Sequence, residues 1–154
     1  MAANIPSSIL FCCDHNAARS PMAEALMKKL YGMQAYVQSA GVMGDMDIDG
    51  FAVTVCQEID VEISRHQARS FQDLHEVGEH MSSYDLIIAL SPASHHKACN
   101  LTKLYHIDVE YWPIADPTAT SENREAKLES YRSVRDDIKA RMIERFGPPS
   151  APQS

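Results

Sequence analysis

Cys13, Arg19 and Ser20 stand in the spacing Cys-x5-Arg-Ser, which can hold and attack a tetrahedral oxyanion. Thiolate is the nucleophilic form of cysteine, and a helix N-terminus beside a cation favours it. At the floor of a loop that leads into a helix, Cys13 is therefore expected to act as a thiolate nucleophile near neutral pH. Arg19 offers a planar, bidentate fork to the oxyanion. Ser20 can donate its hydroxyl to the sulfur, favouring the thiolate first as attacking group and later as leaving group. Asn16 tolerates left-handed backbone and can tie the loop to itself. The backbone of Asp14, His15, Asn16, Ala17 and Ala18 completes a ring of substrate-binding N–H donors, and Ser20 closes it.

Two elements must position that loop. Ile9 to Cys12 is a short apolar run, expected to be a buried strand. Pro21 then opens a helix whose apolar residues Met22, Ala25, Leu26 and Leu30 share one face and which stops near Gly32. Strand, tight loop and helix N-terminus form an anion cradle. Downstream, the patterning predicts strands over 34–39, 86–90 and 109–114. Helices are expected over 50–59, 71–77, 93–101 and 122–146. The last keeps a three-to-four residue period through Leu128, Tyr131, Val134, Ile138, Met142 and Phe146. Alternating strands and helices imply an α/β fold with a parallel sheet of about four strands and helices on both faces. Ligands of such sheets sit beyond the carboxyl ends of the strands, where Cys13 falls.

With 154 residues the chain is expected to form one domain, residues 1–146, followed by a disordered Pro- and Ser-rich tail, residues 147–154. A net charge of −7 argues against nucleic acid or an anionic membrane as partner, since both reward basic patches. Cys12, Cys13, Cys56 and Cys99 show no metal-finger spacing, and there is no signal-peptide pattern, so a reduced, cytoplasmic setting is expected. Strand alternation turns Cys12 away from Cys13 into the core, and Cys56 is expected in the core as well. Cys99 with His95 and His96 on one helix makes a poor ligand set, and no metal or other cofactor is expected.

The stretch from Ile9 to Glu24 resembles the phosphate-binding loop of the low-molecular-weight protein tyrosine phosphatases and of the arsenate reductases that share their fold. The match runs through Cys13, Arg19, Ser20, Pro21, Met22, Ala23 and Glu24. The resemblance covers most of the chain and implies a flavodoxin-like three-layer sandwich. A phosphoryl group moved onto a thiolate needs its leaving oxygen protonated, so a carboxylic acid should face the loop. Asp116, in the stretch from Trp112 to Thr118, is the candidate. On spacing alone Asp116-Pro117 is equally an ordinary turn pair, but the family carries its general acid in an Asp-Pro pair at this place. The resemblance further implies that Ser39 bonds the loop asparagine, Asn16, and that His66 supports the loop.

Some positions depart from the phosphatase pattern. Thr118 and Ala119 stand where tyrosines commonly line the pocket mouth, residues 42–50 include no aromatic, and Asp14 replaces an apolar neighbour of the nucleophile. His15-Asn16 is similar to the arsenate-reductase branch. A thioredoxin-coupled reductase needs two further cysteines to relay a disulfide. Ser91 stands where one would be expected, which leaves a small external thiol as the reductant. Ala18 also removes the second loop cysteine of eukaryotic members. Three functions follow: a cysteine-dependent phosphomonoester hydrolase acting through a phosphocysteine on a phosphorylated protein or small phosphoester, an arsenate reductase using the same loop, or a non-enzymatic oxyanion-binding regulatory module. Intact Cys13, Arg19 and Asp116 argue against the third.

Overall fold

Ile9 through Cys13 are all buried, as a strand with neighbours on both sides must be. In the computed structural model, which describes residues 5–103, 105–119 and 123–149, this strand, β1 (Ser8–Cys13), lies inside a four-stranded sheet. Its companions are β2 (Tyr36–Gly41), β3 (Leu86–Ala89) and β4 (Asp108–Tyr111). The order is β2-β1-β3-β4 and every pairing is parallel. Phe11 stands opposite Ser39 on one side and Ile88 on the other.

The two-residue alternation of β1 divides the core. Ile9, Phe11 and Cys13 face α1 (Arg19–Tyr31), α2 (Gly50–Gln57) and α5 (Arg124–Phe146), packing with Met22, Leu26, Val55, Ile138, Met142 and Phe146. Leu10 and Cys12 face α3 (Phe71–Glu76) and α4 (Pro92–Leu101), with Phe71, Leu74, Ile87 and Ala98. Three layers result, as expected. Cys12 and Cys13 consequently sit in separate core layers, and burial pushes the Cys12 thiol strongly up, with Cys13 adding to the shift.

Several boundaries differ from the sequence-based expectation for local reasons. Gly32 adopts a φ of 62° and opens a 3-10 turn over Gly32–Gln34, which delays β2 by two residues. The β4 ladder stops at Tyr111, two residues before Pro113, which has no N–H to give. α1 begins at Arg19, two residues early. Pro21 remains in the first turn, where its missing N–H leaves no bond unmade. α2 ends at Gln57, close to Asp60 with its φ of 60°. α5 starts at Arg124 behind an Asn123 cap. The expected tail lies outside the described residues from Ser150 onward.

Candidate active site

Helix caps single out one terminus. Asp49, Ser70, Ser91 and Asn123 cap α2, α3, α4 and α5 by accepting backbone N–H bonds. The N-cap of α1, Ala18, makes no such bond, and no acidic residue stands in the first turn. Among the described residues α1 is thus the one α-helix whose first N–H groups are left to a ligand. That terminus adjoins Cys13, at the carboxyl end of β1.

The loop between them is pinned from outside by its carbonyls. Val42 N–H donates to Cys13 O, Met43 N–H to Asp14 O and Asp49 N–H to Ala17 O. With these carbonyls held outward, the loop's own N–H groups are the donors available to an anion. Gly41 packs so closely that a Cβ there would stand 2.8 Å from Asn16 N and 2.5 Å from Met43 O. Cys13, Asp14, His15, Ala17, Ala18, Arg19, Met46, Asp49, Asp116 and Thr118 line a cavity of about 220 Å³. That is several times the roughly 30 Å³ share of a water molecule, room enough for a tetrahedral oxyanion.

Asn16 and Ser20 do not line this cavity. Both are fully buried beneath it, and Asn16 takes a left-handed φ of 55°. Asn16 Oδ1 accepts from Arg69 N–H at 3.0 Å, which fixes its amide orientation. Nδ2 must then donate, to Ser20 Oγ at 2.8 Å and Ser39 Oγ at 2.9 Å. Ser39 passes its own hydrogen to Glu24 Oε1 at 2.5 Å. Ser20 receives from Asn16, and its remaining partner among the described residues is Cys13 Sγ at 2.9 Å. The hydrogen of Ser20 therefore points at the sulfur, the polarity a thiolate needs. His66 Nε2 meets Asn16 Oδ1 at 2.8 Å and must donate there as well. Burial chiefly pushes the His66 imidazole below its ordinary value, with Arg69 and Lys28 adding to this and Glu24 and Asn16 opposing it.

Arg19 is buried and aimed at the cavity. Its Nη1 donates to Ile114 O at 3.0 Å, and Nη2 lies 3.3 Å from Asp14 Oδ2 and 3.9 Å from Asp116 Oδ2. Asp14 Oδ1 is buried and has no hydrogen-bond partner among the described residues. Asp116 accepts from the Thr118 N–H and hydroxyl. Partial burial pushes its carboxyl up, but those two bonds together with Arg19 and His15 outweigh it and hold the group below the usual carboxylate range. His15 lines the cavity with Nδ1 bonded to Asp45 at 2.9 Å.

The residues expected to bind substrate, react or support the loop lie in two tiers. Cys13, Asp14, His15, Ala17, Ala18, Arg19 and Asp116 face the cavity, while Asn16, Ser20, Ser39 and His66 bond beneath it. Sequence reasoning missed Asp49, which braces Ala17, although an Asp-Gly pair before an apolar helix is an N-cap signal. It gave no role to Glu24 or Arg69, which terminate the network. Among the described residues no group of three or more His, Cys, Asp or Glu side chains could hold a metal ion.

Fold and loop together define an α/β three-layer protein with a cysteine at the floor of a strand-to-helix loop. The chain belongs to the low molecular weight phosphotyrosine protein phosphatase family, whose model matches residues 8–146. Among curated relatives it is 30% identical over 136 residues to an arsenate reductase of Bacillus subtilis (strain 168), covering 88% of this chain and 92% of that one. An arsenate reductase of Bacillus licheniformis is 31% identical over 139 residues, covering 90% and 94%. Of solved structures, an arsenate reductase in the phosphate binding state superposes with a TM-score of 0.73 at 25% identity, covering 90% of this chain and 95% of that one. The tyrosine phosphatase amsI of Erwinia amylovora shares the fold, with a TM-score of 0.71 at 21% identity and 93% of each chain covered.

Proposed function

We propose that this protein is a cysteine-dependent phosphomonoester hydrolase that works through a phosphocysteine. The observation that carries the proposal is Asp116, whose carboxylate lines the same cavity as Cys13 and lies 3.9 Å from Arg19. Cys13 Sγ attacks phosphorus and forms the S–P bond as the P–O ester bond breaks. Asp116 gives its proton to the departing oxygen. Arg19 and the loop N–H groups hold the equatorial oxygens, supplying the charge stabilisation of the transferring group. Asp116, now a carboxylate, takes a proton from water. The water attacks phosphorus, and Cys13 leaves as a thiolate that receives the Ser20 hydrogen. Asp116 is ionised in the ligand-free protein at neutral pH. An arriving phosphoryl dianion raises its proton affinity by like-charge repulsion, which loads the acid when it is needed.

A second reading, reduction of arsenate, draws on the curated relatives that carry that name. Here Cys13 Sγ attacks arsenate and water leaves. A small external thiol then attacks Cys13 Sγ, forming a mixed disulfide as arsenite departs with the electron pair, and a second thiol regenerates Cys13. An internal relay is disfavoured by the other cysteines: Cys12 and Cys56 are buried away from the cavity, and Cys99 stands exposed on α4. Four free thiols support a cytoplasmic setting, and among the described residues no helix is long and apolar enough to cross a membrane.

The test is hydrolysis of p-nitrophenyl phosphate at mildly acidic pH by the wild type and by Cys13→Ser. Turnover that disappears in Cys13→Ser is expected. Absence of turnover in the wild type overturns the hydrolase reading, and arsenate-dependent oxidation of a small thiol then tests the second.

A further inference from the structure

A second, larger cavity of about 580 Å³ opens beside the first and shares Met46, Asp49 and Thr118 with it. Its charged lining residues are Arg124, Lys127, Asp47 and Asp49. Arg124 and Lys127, three residues apart on α5, both stand over the ring of Phe51, each 5.6 Å from its centroid. Their placement opposes two electrostatic rules at once. Like charges one helical turn apart repel, and cations are disfavoured in the first turn of a helix, where the dipole is positive. Along the rest of α5 the arginines are neutralised: Arg132 and Arg135 by Glu58, Arg141 by Asp137 and Arg145 by Glu110. Arg124 and Lys127 have no carboxylate within 4.0 Å among the described residues.

Among the described residues the carboxylates nearby form no ion pair with them, although Asp47 and Asp49 line the same cavity. Asp49 is engaged on both oxygens, Oδ1 by Phe51 and Ala52 N–H and Oδ2 by the Tyr131 hydroxyl at 2.5 Å. Glu125, in the same turn, pairs with Arg132 at 3.3 Å. Asp47 lines the cavity without pairing to either cation. Two cations therefore stand without an ion-pair partner among the described residues, on an aromatic platform, in a cavity that shares three lining residues with the candidate active site.

We infer that the Phe51–Arg124–Lys127 cavity is a substrate subsite that receives a second anionic group of the phosphomonoester, apart from the phosphoryl held over Cys13. The inference rests on the hydrolase reading above and names its substrate class. The phosphoryl enters the Cys13 cradle while the second anion lies between the two cations, and Phe51 keeps their side chains in place by cation–π contact. The anion is either a carboxylate flanking the phosphorylated residue of a peptide or a second phosphate on a small molecule.

Two matched pairs of compounds distinguish these sources: a phosphotyrosyl peptide flanked by Glu against one flanked by Gln, and a hexose bisphosphate against the hexose monophosphate. For each pair, kcat/KM is measured with wild type and with Arg124→Gln/Lys127→Gln, and equilibrium binding is measured with the same pair in a Cys13→Ser background. Binding needs no turnover, so it reads the subsite even if p-nitrophenyl phosphate hydrolysis fails and the hydrolase reading falls. The wild type is expected to favour the more anionic member of one pair by about five- to ten-fold, as for two partly exposed charge contacts. The preference should shrink with added salt and drop to about one in the double variant. A ratio near one for both pairs in the wild type, or a preference that survives the double substitution, overturns the inference.

Discussion

The direction of one buried hydrogen can be tested by an isosteric exchange. In Asn16→Asp the acceptor toward Arg69 N–H and His66 is retained, but the donor that faces Ser20 and Ser39 becomes a second acceptor. The Ser20 hydroxyl, 2.9 Å from Cys13 Sγ, is then drawn toward the new carboxylate and away from the sulfur. A hydrogen bond to a charged group is worth about 1.5–3 kcal/mol. At 1.36 kcal/mol per factor of ten, its loss should slow the reaction of Cys13 Sγ with an electrophile by roughly ten- to hundred-fold. The assay is the second-order rate of Cys13 alkylation by iodoacetamide at neutral pH, followed by peptide mass spectrometry because Cys99 is exposed and reacts too. Ser20→Ala removes the same hydrogen without adding charge and should slow alkylation in the same direction. If both variants alkylate Cys13 at the wild-type rate while circular dichroism shows them folded, the deduced polarity of the network is wrong.

Three further outcomes follow from the geometry. Asp116→Asn should slow hydrolysis of an alkyl phosphate by about 10²–10⁴-fold and of p-nitrophenyl phosphate far less, because only the poor leaving group needs the proton. A decline in alkyl phosphate kcat/KM is expected of the wild type as rising pH ionises the acid and should be lost in the same variant, and equal slowing of both esters would remove Asp116 from this role. Gly41→Ala places a Cβ 2.5 Å from Met43 O and 2.8 Å from Asn16 N. The loop must move, at a cost of about 1–3 kcal/mol, so phosphate inhibition should weaken and Tm fall by several degrees, whereas an unchanged inhibition constant refutes the close-packing argument. His66 is depressed in the folded chain, first by burial. Its neutral form therefore contributes stability that is present above about pH 6.5 and is lost as pH falls through the folded value. Urea midpoints should drop on acidification across that window, and His66→Gln, which keeps a donor toward Asn16, should flatten the drop.

How much could be read from sequence depends on whether a residue acts through its neighbours or across the fold. Cys13 to Ser20 is continuous in sequence, and the apolar period before and after it places a strand and a helix, so the loop was legible from the residues alone. The three layers followed from the alternation of strands and helices. Ser39 and His66 were reached only through family resemblance, because nothing in V-Q-S-A-G or S-R-H-Q-A-R indicates that each will bond Asn16. The contacts that Asp49 and Ile114 make with the loop, and the terminal role of Glu24, were not legible. Their contacts with the loop run through the backbone N–H of Asp49, the carbonyl of Ile114 and a hydroxyl two strands' pairing away. Backbone groups carry no side-chain signature, and the pairing of Cys13 with Gly41 that brings Ser39 alongside is a tertiary event.

Trp112 gives the protein an optical reporter. It is the sole indole in the chain, buried against the rings of Phe11 at 6.0 Å and Phe146 at 6.3 Å. Phe11 lies two residues before Cys13. Two residues beyond Trp112, the carbonyl of Ile114 receives Arg19, and Asp116 follows on the same segment. An indole in that place is shielded from solvent by both the central strand and the last helix. Its emission maximum should shift to the red on unfolding, and an oxyanion that draws Arg19 away from Ile114 should perturb its intensity in the folded protein. Ligand titrations can then be followed by the fluorescence of the unlabelled protein.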